Sequence, residues 1–497
     1  RPPRRFFRFD EDYPSISSLV KITFHTGDTL AAEAKMKIKV ENLGFISSGE
    51  IDIKDLTIIF GKNNVGKTYL SYATYGILSR LSSLSEGSTI VSKSDFNKLK
   101  ADGSISIDTS KVASKEIIQK VNKDFTKSLS SFFNAKEDSF KDANIEIEPN
   151  FTDSDLLKLS FSSNLNLDGT GVYSFNKSKN SSEIVISFVK LPEEATNKSV
   201  GFAFGEDTIA SILSSITSNL ILKNIFKGLS RPFVITSERT GISLFYKEMD
   251  SHRSSLLNHW ITSKSSMSTP INKKLSAYST PISDNINIIR QYESLTKRKS
   301  FLYSKRSKRS NRLMTETLES MLSGSFKHAN GETIFTKKED DKDVSIPMSI
   351  SSSSVKSLFL LDLYIKHVAQ YGDFLVIDEP ELNLHPENQV RMAELIVRLI
   401  NLGIKIIMTT HSDYIIKEIN NRIMLSNISK KENLYDLSFR DEDVLRQDRV
   451  SAFTICDDRK IKEIQVDKYG INQEIFDDVI SSLNERSDLI YDALCQE

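Results

Sequence analysis

The segment Gly61-Lys-Asn-Asn-Val-Gly66-Lys67-Thr68 fits the pattern G-x-x-x-x-G-K-[ST]. It constrains the fold strongly, because such a loop works only between a strand and a helix. Leu56-Thr-Ile-Ile-Phe60 precedes it, apolar and β-branched, and reads as a buried strand. Tyr69 to Leu78 follows and can start a helix. Gly61 and Gly66 permit a tight wrap that aims backbone N–H groups at phosphate oxygens, helped by the helix N-terminus. The expected nucleotide contacts are therefore Gly61, Lys62, Asn63, Asn64, Val65, Gly66, Lys67, Thr68 and Tyr69. Lys67 would neutralise β- and γ-phosphates, and the Thr68 hydroxyl would hold Mg²⁺. A chance glycine turn is the alternative, and the strand–loop–helix context argues against it.

A second motif begins at Asp373-Phe-Leu-Val-Ile-Asp378-Glu379-Pro380. Four apolar residues followed by Asp-Glu describe a buried parallel strand with two carboxylates at its C-terminal edge, where open α/β sheets bind ligands. Asp378 is expected to bind Mg²⁺, and Glu379 to polarise the water that attacks the γ-phosphate. Glu387 to Leu402 reads as an amphipathic helix closed by Gly403. The next strand, Ile404 to Thr410, ends in His411-Ser412-Asp413. A histidine there can reach the γ-phosphate and the attacking water, which makes Glu379, His411 and Lys67 the expected catalytic residues. ATP and Mg²⁺ are the expected cofactors.

Composition excludes other classes. The chain has 497 residues, 39% hydrophobic and 27% charged, with a formal net charge of +0. Any nucleic-acid surface must then be a local patch. Two cysteines, Cys456 and Cys495, cannot build a disulfide framework or a zinc site alone, which fits a cytoplasmic protein. No apolar run approaches the ~20 residues that span a bilayer.

These motifs resemble the ABC-type ATPases, and more closely the subgroup of OLD-family and SMC-like ATPases. The fold implied is α/β: a P-loop NTPase of ABC-ATPase type with an antiparallel β subdomain and a helical insertion. In that family a serine-glycine signature loop precedes the Asp-Glu strand and reaches a partner's ATP. Ser351-Ser-Ser-Ser-Val-Lys-Ser-Leu358 stands at that place, so Ser352, Ser353 and Ser354 would correspond, without the family's glycines. A solvated serine linker is the other reading. Arg239, in Ser237-Glu-Arg-Thr-Gly241, is a candidate contact to the γ-phosphate or the signature loop, with a structural ion pair as the alternative. The family's Q-loop glutamine has no clear counterpart.

Thr68 and Asp378 must meet in one site, so most of what lies between them is read as inserted. The expected organisation is an N-terminal extension over 1–35, either foreign or a basic arm. It is followed by core at 36–80, an inserted helical and β region at 81–230, and a return to the core at 231–245. A helical arm at 246–325, further core at 326–425 and a C-terminal hairpin-and-helix region at 426–497 complete it. Within the insertion, Leu157 to Phe161 and Glu183 to Phe188 read as strands. Two short strands are expected over 326–347. The arm carries Lys297, Arg298, Lys299, Lys305, Arg306, Lys308, Arg309 and Arg312, with Phe301 and Tyr303 between. That run reads equally as a nucleic-acid footprint over 297–312, a solvated helix face, or a patch for an acidic partner. Asp457-Asp458 lacks the second acidic position of a TOPRIM nuclease, so no nuclease centre is expected in this chain.

From Met36 onward the sequence is similar to the PtuA-type ATPases of Septu anti-phage defence, including retron-associated versions. The resembling residues are Met36 to Gly44, Ser237 to Ile242, Ser351 to Leu358, Ile377 to Asn388 and Thr409 to Asn421. The resemblance implies a homodimer or higher homo-oligomer that hydrolyses ATP and restrains an HNH-type nuclease subunit. A retron's reverse transcriptase with its RNA–DNA product is a further implied partner, and no membrane is. The alternative is an SMC-like DNA-repair or chromosome-maintenance ATPase.

Overall fold

The computed structural model describes residues 20–26, 35–82, 90–111, 115–150, 152–167, 171–189, 205–225, 232–246, 278–303, 308–329, 332–340, 342–428, 439–472 and 485–486. The chain forms two compact units: one of residues 1–34, 81–121 and 149–229, the other of 35–80, 122–148 and 230–497.

The larger unit is built on a six-stranded sheet. Its strands are β1 (Leu56–Phe60), β2 (Phe233–Ile235), β3 (Phe374–Asp378), β4 (Lys405–Thr410), β5 (Val450–Ile455) and β6 (Ile461–Ile464), in spatial order β2-β3-β4-β1-β5-β6. The first five are parallel, and β6 returns antiparallel to β5. Strands β1, β3, β4 and β5 are buried at every position, which explains their continuous apolar sequences. Register aligns the ligand-bearing ends: Phe60 lies opposite Thr410, and Thr409 opposite Asp378. β4 therefore stands between the strand of the glycine loop and the strand of the Asp-Glu pair.

Helices α1 (Lys67–Ser82), α2 (Ser353–Leu363), α3 (Pro386–Asn401) and α4 (Asp413–Leu425) belong to the same unit. α3 starts with His385 as N-cap and Pro386 at its first position, and Gly403 beyond its end takes φ 92°. α3 and α4 share a buried ion network. Asp443 lies 2.9 Å from Arg398 and 3.2 Å from Arg422, and Arg422 also pairs with Glu418 at 2.6 Å.

Several expectations need correction. Residues 122–148, read as insertion, belong with the larger unit: the Tyr69 ring on α1 meets Phe133 and Phe140 edge-on at 5.3 and 6.0 Å. The described part of the helical arm packs on the core, because Ile286, Ile289, Tyr292, Met314 and Leu318 join one hydrophobic cluster with Phe359 and Leu360. Residues 247–277, where that arm would project, lie outside the described residues. Over 325–347 there are three antiparallel strands instead of two. The run Val450 to Ile455, read as part of a separate C-terminal region, is β5, paired parallel with β1. Of the helix expected at the end of the 426–497 region, only residues 485–486 are among the described residues.

The smaller unit carries a five-stranded antiparallel sheet of Val20–Thr26, Phe161–Leu167, Gly171–Lys177, Glu183–Val189 and Ser104–Asp108, in that order. Part of the N-terminal extension thus supplies an edge strand. Residues 153–158 are helical, since Thr152 and Asp155 form a reciprocal capping box that overrides the strand reading of Leu157 to Phe161. The helix Glu206–Ile225 completes the unit. Among the described residues, no helix is long and apolar enough to cross a membrane.

Candidate active site

The glycine loop runs from the end of β1 into α1. Gly61 and Gly66 take φ of 135° and 108°, and a Cβ on Gly66 would sit 3.0 Å from Ile46 Cγ1. Lys62, Asn63 and Asn64 are exposed, Val65 is half-buried, and Asn64 is left-handed at φ 63°. Lys67 is buried and donates to the carbonyls of Gly61 and Lys62 at 3.0 and 2.6 Å. Burial lowers its ammonium pKa, opposed by the charges of Glu379, Asp378 and Glu381. The Tyr69 ring turns onto the phenylalanines named above, so a role for this residue at the loop would fall to its backbone.

The structure brings the two distant motifs together. Thr68 Oγ1 donates to Asp378 Oδ2 at 3.1 Å, and the Thr409 hydroxyl donates to Asp378 Oδ1. Asp378 has no exposed surface, and burial raises its pKa against the effect of the Thr409 hydrogen bond. His411 Nε2 lies 3.7 Å from Glu379 Oε1, beyond a direct hydrogen bond. Burial and then the Lys67 charge lower the His411 pKa, while Asp378 opposes them, so the imidazole is neutral at pH 7. The His411 backbone N–H is held by Glu381 Oε1 at 2.6 Å, and Ser412 caps α4 through the Ile415 N–H. Glu381 is itself raised by burial.

Not every expected residue converges. Ser352 is the N-cap of α2, accepting from the Val355 N–H at 3.3 Å, and Ser353 is exposed beside it. Among the described residues, neither these two nor Ser354 hydrogen-bonds to residues 61–68. Arg239 is 2% exposed and its guanidinium donates to backbone carbonyls, one of them that of Ser357 within the segment compared with the signature; among the described residues it forms no side-chain ion pair. In the basic run, Lys297, Arg298 and Lys299 are exposed, Arg309 pairs with Glu442 at 3.6 Å, and Arg312 with Glu316 at 3.4 Å. Lys305 and Arg306 lie outside the described residues.

Two features escaped the sequence reading. Glu238, at the end of β2, accepts from the Tyr72 hydroxyl at 3.0 Å and acts electrostatically on Asp378. The β5–β6 turn flanks the glycine loop: Asp457 pairs with Lys62 at 3.0 Å, and Arg459 donates to the Phe45 carbonyl at 2.7 Å. The signal for Glu238 was present in part, because it follows a short apolar strand after Thr236 and Ser237. The hairpin itself was expected, but the place of its turn beside the glycine loop could not be foreseen without the pairing of β5 with β1.

Solved structures similar to this chain include the SmcHead bound to the C-winged helix domain of ScpA, at 11% identity and a TM-score of 0.30, covering 86% of this chain and 96% of that one. A second is the Smc head domain with an extended coiled coil bound to the C-terminal domain of ScpA from Pyrococcus furiosus, at 13% and 0.28, covering 91% and 98%. A third is the SMC head domain from Thermotoga maritima, at 11% and 0.26, covering 88% and 99%. No curated protein matches the sequence. The AAA ATPase domain family matches over residues 36–416, a span that holds the glycine loop, the Asp-Glu strand and His411. The chain belongs to the AAA ATPase domain family.

Proposed function

We propose that this ATPase hydrolyses ATP with Mg²⁺ in a head-to-tail dimer and governs a separate nuclease in bacterial anti-phage defence. The hydrolytic part rests on one observation: Thr68 and Asp378 meet at 3.1 Å, with Glu379 and His411 3.7 Å apart at the same sheet edge. The donor set suits Mg²⁺, since a buried carboxylate and a threonine hydroxyl are hard oxygen ligands. Among the described residues no group of three or more His, Cys, Asp or Glu side chains is arranged to hold a metal. The remaining ligands would be phosphate oxygens and water, as Mg²⁺ prefers. Bound there, the ion supplies charge neutralisation to the phosphates. Lys67, released from the loop carbonyls, would bind the β- and γ-phosphates. Glu379 would accept the proton of the attacking water, and the neutral His411 would donate one N–H to orient it.

Ser352, Ser353 and Ser354 would serve the ATP of a second copy. Their support is position: an exposed helix N-terminus with no bond to the chain's own loop. An HNH-type nuclease, with a reverse transcriptase and its RNA–DNA product in retron-linked systems, is supported by the motif resemblance. The test is purification of the Glu379→Gln protein with ATP, light scattering for the dimer, and mass spectrometry of what co-purifies from the native host. A monomer under these conditions removes the dimer. A preparation without a nuclease subunit removes the defence reading and leaves the ATPase.

A further inference from the structure

Glu379 has an unusual backbone. Its φ is 51°, in the left-handed region that side chains other than Gly, Asn and Asp seldom adopt. Such a conformation persists only where the surroundings fix it. The Glu379 N–H is held by the Thr409 hydroxyl at 3.0 Å and the Thr409 carbonyl at 3.2 Å. The Glu379 carbonyl is held by Arg239 Nη2 at 2.6 Å.

Arg239 does more than cap that carbonyl. Its Nη1 donates to Asp378 O at 2.8 Å and Thr236 O at 3.1 Å, and its Nε donates to Ser357 O in α2 at 3.1 Å. One rigid fork thus spans the end of β2, the Asp-Glu peptide and the helix that follows the serine loop. Ser357 reinforces the link by donating its hydroxyl to Leu382 O at 2.9 Å. A planar guanidinium with fixed donor directions can set the relative position of these carbonyls, which a lysine ammonium cannot.

We propose that Arg239 is a positioning residue that locks Glu379 in its left-handed conformation and ties the place of its carboxylate to helix α2. The consequence for turnover rests on the reading of Glu379 as the base. Arg239 acts through the Glu379 main chain.

The test compares Arg239→Lys with the parent. Affinity for a fluorescent ATP analogue should stay within about twofold, while kcat falls on the order of 10- to 100-fold, the cost of a misplaced catalytic group. A kcat close to that of the parent overturns the proposal, and so does a parallel loss of binding and turnover. A thermal cycle provides a readout free of activity. Glu379→Gly removes the backbone penalty that the locked parent carries and should raise Tm more in the parent than in Arg239→Lys, where the unlocked residue has relaxed, whereas Glu379→Ala should show no such difference. If Arg239→Lys is too unstable to purify, Arg239→Gln takes its place in the cycle. Equal Tm increments refute the lock. If the parent shows no ATP turnover, the proposed function fails while the thermal cycle still decides the role of Arg239.

Discussion

The Thr68 hydroxyl and the Asp378 carboxylate lie 3.1 Å apart although 310 residues separate them in the chain. Their contact makes the nucleotide site a property of the folded sheet, and it sets what substitutions should do.

Glu379→Gln keeps a side chain of the same size and removes the proton acceptor. ATP should still bind, and turnover should fall by roughly 10²- to 10⁴-fold, the usual contribution of a general base. Lys67→Ala should instead reduce binding of a fluorescent ATP analogue by more than about tenfold, since a cation at the phosphates is removed. A phosphate-release assay beside a binding titration separates the two.

Asp378 is buried with its pKa raised, so the native state binds its proton more readily than the unfolded chain does. Between the unfolded value and the raised native one, stability falls as pH rises, and at neutral pH the ionised carboxylate is a cost. Asp378→Asn should therefore raise the stability of the nucleotide-free protein by about 1 kcal/mol at pH 7 while abolishing Mg²⁺-dependent turnover. Calorimetry across pH is the check: the gain should shrink as pH drops toward the unfolded carboxyl range.

His411 has the opposite sign. Its native pKa lies below 6.5, so the unfolded chain takes up the proton first and this residue's contribution to stability falls as pH drops through the unfolded value. His411→Gln should remove that acid-side loss between about pH 6.5 and 5. A Tm difference between the two proteins that does not change with pH would contradict the assignment.

Asp443 sits between Arg398 and Arg422 with 3% exposure. Asp443→Ala leaves buried guanidinium charge poorly compensated and should cost about 3 kcal/mol or more. Urea unfolding measures this, and ATP affinity of the folded fraction should be unchanged.

The exposed cations Lys297 and Lys299 test the nucleic-acid reading of the basic run, because Arg309 and Arg312 are already engaged by carboxylates. Reversing both to Glu should lower the salt slope of duplex DNA binding by about 0.9 for each phosphate that is no longer neutralised. An unchanged slope would assign the run to a solvated face.

Much of the core was legible because its signals are local. The strand–loop–helix around Gly66, the apolar run ending in Asp378-Glu379, and the strand ending in Thr410 each follow from residues adjacent in the chain. The run Val450 to Ile455 was legible as a strand in a hairpin with the run that follows it, and the structure has that antiparallel pairing, but its second partner was not legible. A parallel pairing with Leu56 to Phe60 joins segments far apart in the chain, and no short-range pattern encodes it. The arm read over 246–325 failed for a related reason. Polar helices at 280–322 look solvated in sequence, yet Ile286, Met314 and Leu318 supply a buried stripe once the core is there to receive it.

The sequence by itself determined the chemistry available: a phosphate loop, a threonine hydroxyl, two adjacent carboxylates and a histidine, each group following a buried strand. Only the tertiary structure decided their arrangement. Strand order puts β4 between β1 and β3, and register brings Thr409 level with Asp378, so side chains from two strands and from α1 face one point. It also decided the part played by Arg239. An arginine beside a glutamate reads as a phosphate or signature-loop contact or as a structural ion pair until burial removes water and leaves the carbonyls of Ser357, Asp378 and Glu379 as its acceptors. The physical reason is the same in each case: hydrogen-bond partners across a sheet are fixed by which strands lie side by side, and that is set by burial of the whole core.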